Sequence, residues 1–218
     1  MIKAELIDHL GNDLTVANSA RVSFNKESQF SSNGSLQQHD VKLIAYLAKH
    51  NHFTPFTHPQ ITLRETVPIF VARQRFKHVV GFTYNEVSRR YVDDAPEFYY
   101  PTAWRSRPQG SVKQGSGDTH PGNQGWKSIY QKKIAEASEL YTLMVQDGIA
   151  PEQARMVLPQ SMLTSYYVTG SLAAFARAYK QRKDAHAQVE IQDLASEWEK
   201  IIAPLYPVSW AALTQGRY

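Results

Sequence analysis

Residues 73–92, RQRFKHVVGFTYNEVSRRYV, place Arg73, Arg75, Lys77, Arg89 and Arg90 within one short stretch, and His78 adds a further charge when protonated. Phe70, Phe76, Phe82, Tyr84 and Tyr91 are threaded among and beside these cations. Aromatic side chains favour burial, and a cation carried out of water with them must meet an anion or a ligand. The stretch is therefore expected to be ordered and partly buried, not a solvated basic arm. The carboxylates nearest in sequence, Glu86, Asp93 and Asp94, are too few to neutralise it. A phosphate-bearing ligand would complete the balance, held by arginine forks and exposed backbone N–H groups.

The segments around this stretch read as a mixture of strand and helix. ITLRETVP alternates, with Ile61, Leu63 and Val67 opposite Thr62, Arg64 and Thr66, which predicts a half-buried strand. Pro68 is placed to open a helix over PIFVARQRFKHV, in which Arg73 and Lys77 would share one face and Gln74 and His78 its neighbour. A short polar stretch after Gly81 then returns with Asn85, Glu86, Ser88 and Arg90. KAELIDHL and SMLTSYYVTG read as strands, and LTVANSARVSF and PEQARMVL as short helices. Asp40 is expected to cap a helix whose apolar face holds Val41, Ile44, Ala45 and Ala48. Tyr130, Ile134, Ala137, Tyr141 and Met144 define another helix, SLAAFARAYKQR a further one, and Ala187 to Leu205 a last long one. Residues 101–125, rich in Gly, Ser, Pro and Gln, are expected to form a long flexible insertion loop. Without internal repeat or linker, a single α+β domain over residues 1–218 is the prediction.

A net charge of +4 and a pI near 9.2 favour anionic ligands without choosing among them. The chain has no cysteine, so disulfides, thiolate metal sites and thiol nucleophiles are all closed to it. No apolar run reaches membrane-spanning length, and the N-terminus lacks a signal-peptide core, so a soluble cytoplasmic protein is expected. His50, His52 and His58 lack the spacing and partners of a metal site, and none is predicted. No glycine-rich phosphate loop is present, so side chains and helix ends must hold any nucleotide. A second basic cluster supplies candidates: Arg155, then Arg177, Lys180, Arg182 and Lys183, with His186, Gln188 and Glu190 just beyond.

KHVVGFTYNEVSRRY resembles the signature of the flavin-dependent thymidylate synthases, an Arg-His-Arg triplet followed by Asn-Glu, Ser and Arg-Tyr. HFTPFTH, PIFVARQRF, EQARMVLP and RKDAHAQVEIQ extend the resemblance across residues 20–190 in the family's order. Lys77 and Val79 stand where the outer arginines of the triplet would be, and Ser171, Ala173 and Arg177 replace an Asn-rich pattern. The resemblance implies a small twisted, mainly antiparallel sheet packed by several helices, assembled as a homotetramer whose active sites draw on several subunits. It implies conversion of dUMP to dTMP, with methylenetetrahydrofolate giving the carbon and NADPH-reduced FAD the hydride. Carried over by position, Gln74, Arg75, Phe76, Lys77, Glu86, Val87, Ser88, Arg89, Arg90, Arg155 and Arg182 would line the dUMP site. His52, Thr54, Lys77, His78, Val79, Glu86, Ser171 and Arg177 would border FAD.

The implied chemistry suits a chain without thiols. With no sulfur to add to C6 of uracil, the ring must be activated by fixed charge. Arg182, protonated at any working pH, would stabilise negative charge at N3 and O4 and so enrich C5. Neither nucleic acid nor membrane is expected as a partner. A basic nucleic-acid-binding module is the alternative with the same footprint of cations and aromatics, and an inactive nucleotide-binding relative is the other.

Overall fold

The computed structural model describes residues 1–92, 94–108 and 115–216. Two alternating segments build the centre of its sheet. β2 (Gln60–Pro68) and β4 (Leu163–Ser171) pair antiparallel in unbroken register, from Gln60 opposite Ser171 to Pro68 opposite Leu163. β1 (Lys3–Leu10) lies on the outer side of β2, and β3 (Phe82–Glu86) on the outer side of β4. The order is β1-β2-β4-β3, and every pairing is antiparallel. Because side chains alternate across a strand, β2 and β4 turn Ile61, Leu63, Val67, Tyr166 and Val168 to one buried face.

Eight α-helices are found among the described residues: α1 (Asp13–Arg21), α2 (Gln38–Lys49), α3 (Ile69–Arg75), α4 (Asn123–Gln146), α5 (Pro151–Ala154), α6 (Leu172–Arg182), α7 (Val189–Leu205) and α8 (Pro207–Gln215). Val16, Ile44, Val71, Phe175, Leu194, Trp198 and Trp210 join the inward face of the sheet in one core. Each such side chain contributes roughly 1.5–3 kcal/mol by leaving water. β2 and β4 each run into a helix without a loop, with Pro68 and Ser171 at the caps. Among the described residues no helix is long and apolar enough to cross a membrane.

Several expectations change. α3 stops at Arg75, so Lys77 and His78 lie in the turn beyond it and share no helix face with Arg73 and Gln74. The polar stretch after Gly81 is strand β3, entered through a positive φ of 79° at Gly81 that glycine tolerates best. Asp40 sits inside α2, buried, and its carboxylate accepts from Arg21 Nε at 2.8 Å and from the Ser28 hydroxyl at 3.0 Å. The last long helix ends at Leu205 as expected but starts at Val189, past Ala187, and an unforeseen helix, α8, is opened by Pro207. The spacing of Ile134 and Tyr141 does mark the buried side of α4, yet Trp126, Ile129, Leu140 and Leu143 on the same helix are exposed. The expected loop 101–125 overlaps the start of α4, and its residues 109–114 lie outside the described residues.

The inward face of β2 also carries Glu65, fully buried, and from the end of α3 the fully buried Arg75 reaches it. Arg75 Nε approaches the two carboxylate oxygens at 3.0 and 3.3 Å. Tyr166 Oη and Trp198 Nε1 also donate to Glu65, at 2.6 and 2.7 Å. The guanidinium lies 4.3 Å from the Phe82 ring centroid and 4.6 Å from that of Trp198. Glu65→Ala would strand this cation in the core and is expected to cost about 3–5 kcal/mol, read by urea unfolding against the parent chain.

Candidate active site

The turn after α3 is where the predicted site residues are sorted. Arg75 Nη1 donates to the Tyr84 hydroxyl at 2.6 Å, and that hydroxyl donates to the His78 carbonyl at 2.7 Å. The His78 ring faces the end of α6, where Arg182 Nε donates to its Nε2 at 2.8 Å. Arg182 Nη2 also reaches the Gln74 carbonyl at 3.4 Å. His78 Nε2 is thus the acceptor, which puts the ring proton on Nδ1 and makes the imidazole neutral. Burial, and then the charges of Arg182, Arg75 and Arg177, push the His78 pKa down to about 4. Burial and Arg75 also lower the pKa of Arg182 from its ordinary value.

On the other side of the same segment lies a cleft of about 770 Å³. Ile69, Ala72, Arg73 and Phe76, one face of α3 and its cap, form one wall. Glu86, Val87, Ser88 and Arg89, at the end of β3, form another, and Arg155 with Met156 closes a third. The Glu86 carboxylate accepts from Thr164 Oγ1 at 2.6 Å, which holds it at the rim. Six of the residues expected at the dUMP site therefore meet here: Phe76, Glu86, Val87, Ser88, Arg89 and Arg155. Arg90 stands just outside, its Nε 3.3 Å from Ser88 Oγ. Gln74 turns away to hydrogen-bond Gln188, and exposed Lys77 does not line the cleft. Arg182 does not line it and bonds instead to His78 and the Gln74 carbonyl, and Arg75 is occupied by Glu65 in the core.

Arg73 was missing from the expected set. It lines the cleft, is exposed, and has no carboxylate partner among the described residues. Its position one turn before Phe76 and one after Ile69 was the available signal. Together Arg73, Arg89, Arg155 and the Ser88 hydroxyl suit a phosphate, which arginine binds through two parallel N–H groups.

Apart from Glu86, which lines the first cleft, the residues expected to border a flavin fall into two groups. His52 and Thr54 line a second cleft of about 740 Å³, with Phe24, Tyr46, Phe53 and His58. His78, Val79, Ser171 and Arg177 surround the 78–81 turn, where Arg177 donates to the Val80 carbonyl. Ser171 Oγ is spent capping α6 through the Ala174 N–H at 3.2 Å. Lys77 and Arg177 are exposed and have no carboxylate partner among the described residues, a donor set that fits the diphosphate of a dinucleotide. Among the described residues no group of three or more His, Asp or Glu side chains could hold a metal ion.

Residues 5–208 match the family described as thymidylate synthase complementing protein. A flavin-dependent thymidylate synthase from Thermotoga neapolitana is 34% identical over 214 residues, 98% of this chain and 91% of that protein. The chain belongs to the flavin-dependent thymidylate synthases. Their counterpart from Thermus thermophilus is 31% identical and covers 96% of this chain and 74% of its own. A UMP/dUMP methylase from Streptomyces cacaoi, bound with 5-Br dUMP, superposes with a TM-score of 0.85 at 29% identity, covering 99% and 95% of the two chains.

Because the His78 pKa lies below its ordinary 6.5 in the fold, the unfolded chain takes up a proton first as pH falls. The contribution of His78 is complete above about pH 6.5 and is lost between there and about pH 4. Melting temperatures measured across this range should fall more steeply for the parent than for His78→Gln, and parallel curves would contradict the neutral imidazole.

Proposed function

We propose that this chain makes dTMP from dUMP, taking its carbon from methylenetetrahydrofolate and its hydride from FAD reduced by NADPH. The observation that carries the proposal is a cleft lined by Arg73, Arg89 and Arg155 on the motif segment of a chain without cysteine. These arginines and Ser88 bind the nucleotide phosphate, and Glu86, fixed by Thr164, bounds the same cleft. Arg182, held by His78 and the Gln74 carbonyl, does not line its own copy's cleft. It stabilises negative charge at N3 and O4 of uracil bound by a neighbouring copy of the tetramer as C5 becomes nucleophilic. Its charge does not depend on pH, so it acts by electrostatics and not as a base. Lys77 and Arg177 would hold the diphosphate of the flavin, and His52 and Thr54 of the second cleft would border it. Reduced flavin, when bound, supplies the hydride that completes the methyl group.

The active unit in this proposal is a homotetramer. The exposed apolar residues Trp126, Ile129, Leu140 and Leu143 of α4 support burial against another copy. The likeness to a UMP/dUMP methylase also favours testing UMP beside dUMP as substrate.

Purified protein is expected to bind FAD and show flavin absorption, and to release tritium from C5-labelled dUMP when all cosubstrates are present. Arg182→Ala should retain flavin while kcat falls by about 10²–10³. Arg155→Ala should mainly raise KM for dUMP. A colourless protein that refuses added FAD and leaves the tritium on dUMP would overturn the proposal. Sedimentation velocity decides the assembly.

A further inference from the structure

Arg182 is held by two acceptors, the His78 ring and the Gln74 carbonyl, and both belong to one five-residue segment. That segment has left the helix: the His78 N–H donates to the Arg75 carbonyl, three residues back, at 3.1 Å, and α3 has already ended. A turn of this kind needs an outside anchor to present a ring nitrogen at a fixed point. The anchor is on β3. The Tyr84 hydroxyl donates to the His78 carbonyl at 2.7 Å, lies 3.3 Å from the Arg75 carbonyl, and accepts from Arg75 Nη1 at 2.6 Å. The ring itself is packed edge-on against Phe76, whose centroid is 5.0 Å away.

We propose that Tyr84 is a positioning residue for Arg182: its hydroxyl ties the His78 backbone to the buried Glu65–Arg75 pair, so that His78 Nε2 stands where it fixes the Arg182 guanidinium. The links are consecutive. Arg75 is set by Glu65, which Trp198 holds as well, Tyr84 by Arg75, and the turn by Tyr84. Tyr84 need not touch substrate. It acts on the orientation of the group that would face the uracil, and this inference rests on the role given to Arg182 above.

A matched pair of variants tests it. Tyr84→Phe and Tyr166→Phe each remove one hydroxyl from the same buried network, but among the described residues the Tyr166 hydroxyl serves only Glu65, which Arg75 and Trp198 still hold without it. Both are expected to lower the melting temperature. Only Tyr84→Phe should lower kcat, by about ten- to a hundred-fold, with KM for dUMP and FAD affinity held within about two-fold. In 15N-histidine spectra, the His78 Nε2 signal, assigned with His78→Gln, should move toward that of a free imidazole in Tyr84→Phe and stay in place in Tyr166→Phe. Equal kcat in the two variants, or an unmoved His78 signal in Tyr84→Phe, would overturn the inference. If the parent chain has no activity, the function proposed above fails, and the His78 signal alone still decides whether Tyr84 sets the turn.

Discussion

The fold is organised around one ion pair that water never reaches. Taking Glu65 and Arg75 out of solvent costs several kcal/mol per charge unless each finds complete replacement partners. Here the carboxylate accepts from Arg75, Tyr166 and Trp198, and the guanidinium lies among the rings of Phe82, Trp198, Tyr84 and Phe175. Cation–π contact adds roughly 2 kcal/mol or more in a desolvated site. The donors and rings come from β2, α3, β3, β4, α6 and α7, so a single interaction registers the sheet against the helices. None of these elements can slide without leaving a charge unpaired.

The density of cations between residues 73 and 92 follows from the same geometry. One short segment meets three environments at once. Arg75 points into the core, Arg73 and Phe76 face the cleft of about 770 Å³, and Gln74 and His78 receive Arg182 from α6. Each cation has its own counterpart: a buried carboxylate for one, ligand phosphates for the others in the proposed enzyme. The tally of nearby carboxylates was misleading because Glu65 is ten residues upstream in sequence yet in contact in space.

The main elements were legible because their signals are local. Two-residue alternation marked β2, and three- and four-residue spacing marked the long helices. β3 was hidden because Phe82–Glu86 has only five residues, and its register depends on β4, eighty residues away. Glu65 was passed over because a carboxylate in an inward strand position looks like a break in the pattern until its partner is known. Six cleft residues were legible from the resemblance, but Arg73 emerged only when α3 was seen to present Ile69, Ala72, Arg73 and Phe76 together. The split of the flavin-side residues into two groups depends on how the chain before β2 packs, which no motif encodes.

The unbroken pairing of β2 with β4 also sets where this chain can tolerate insertions and deletions. One residue added within either strand would move every side chain beyond it to the opposite face of the sheet, pulling Glu65 or Tyr166 out of the centre and parting the ends of α3 and α6. Growth between β3 and α4 disturbs neither strand, so length variation among homologues should accumulate there while the two strand–helix units keep their size.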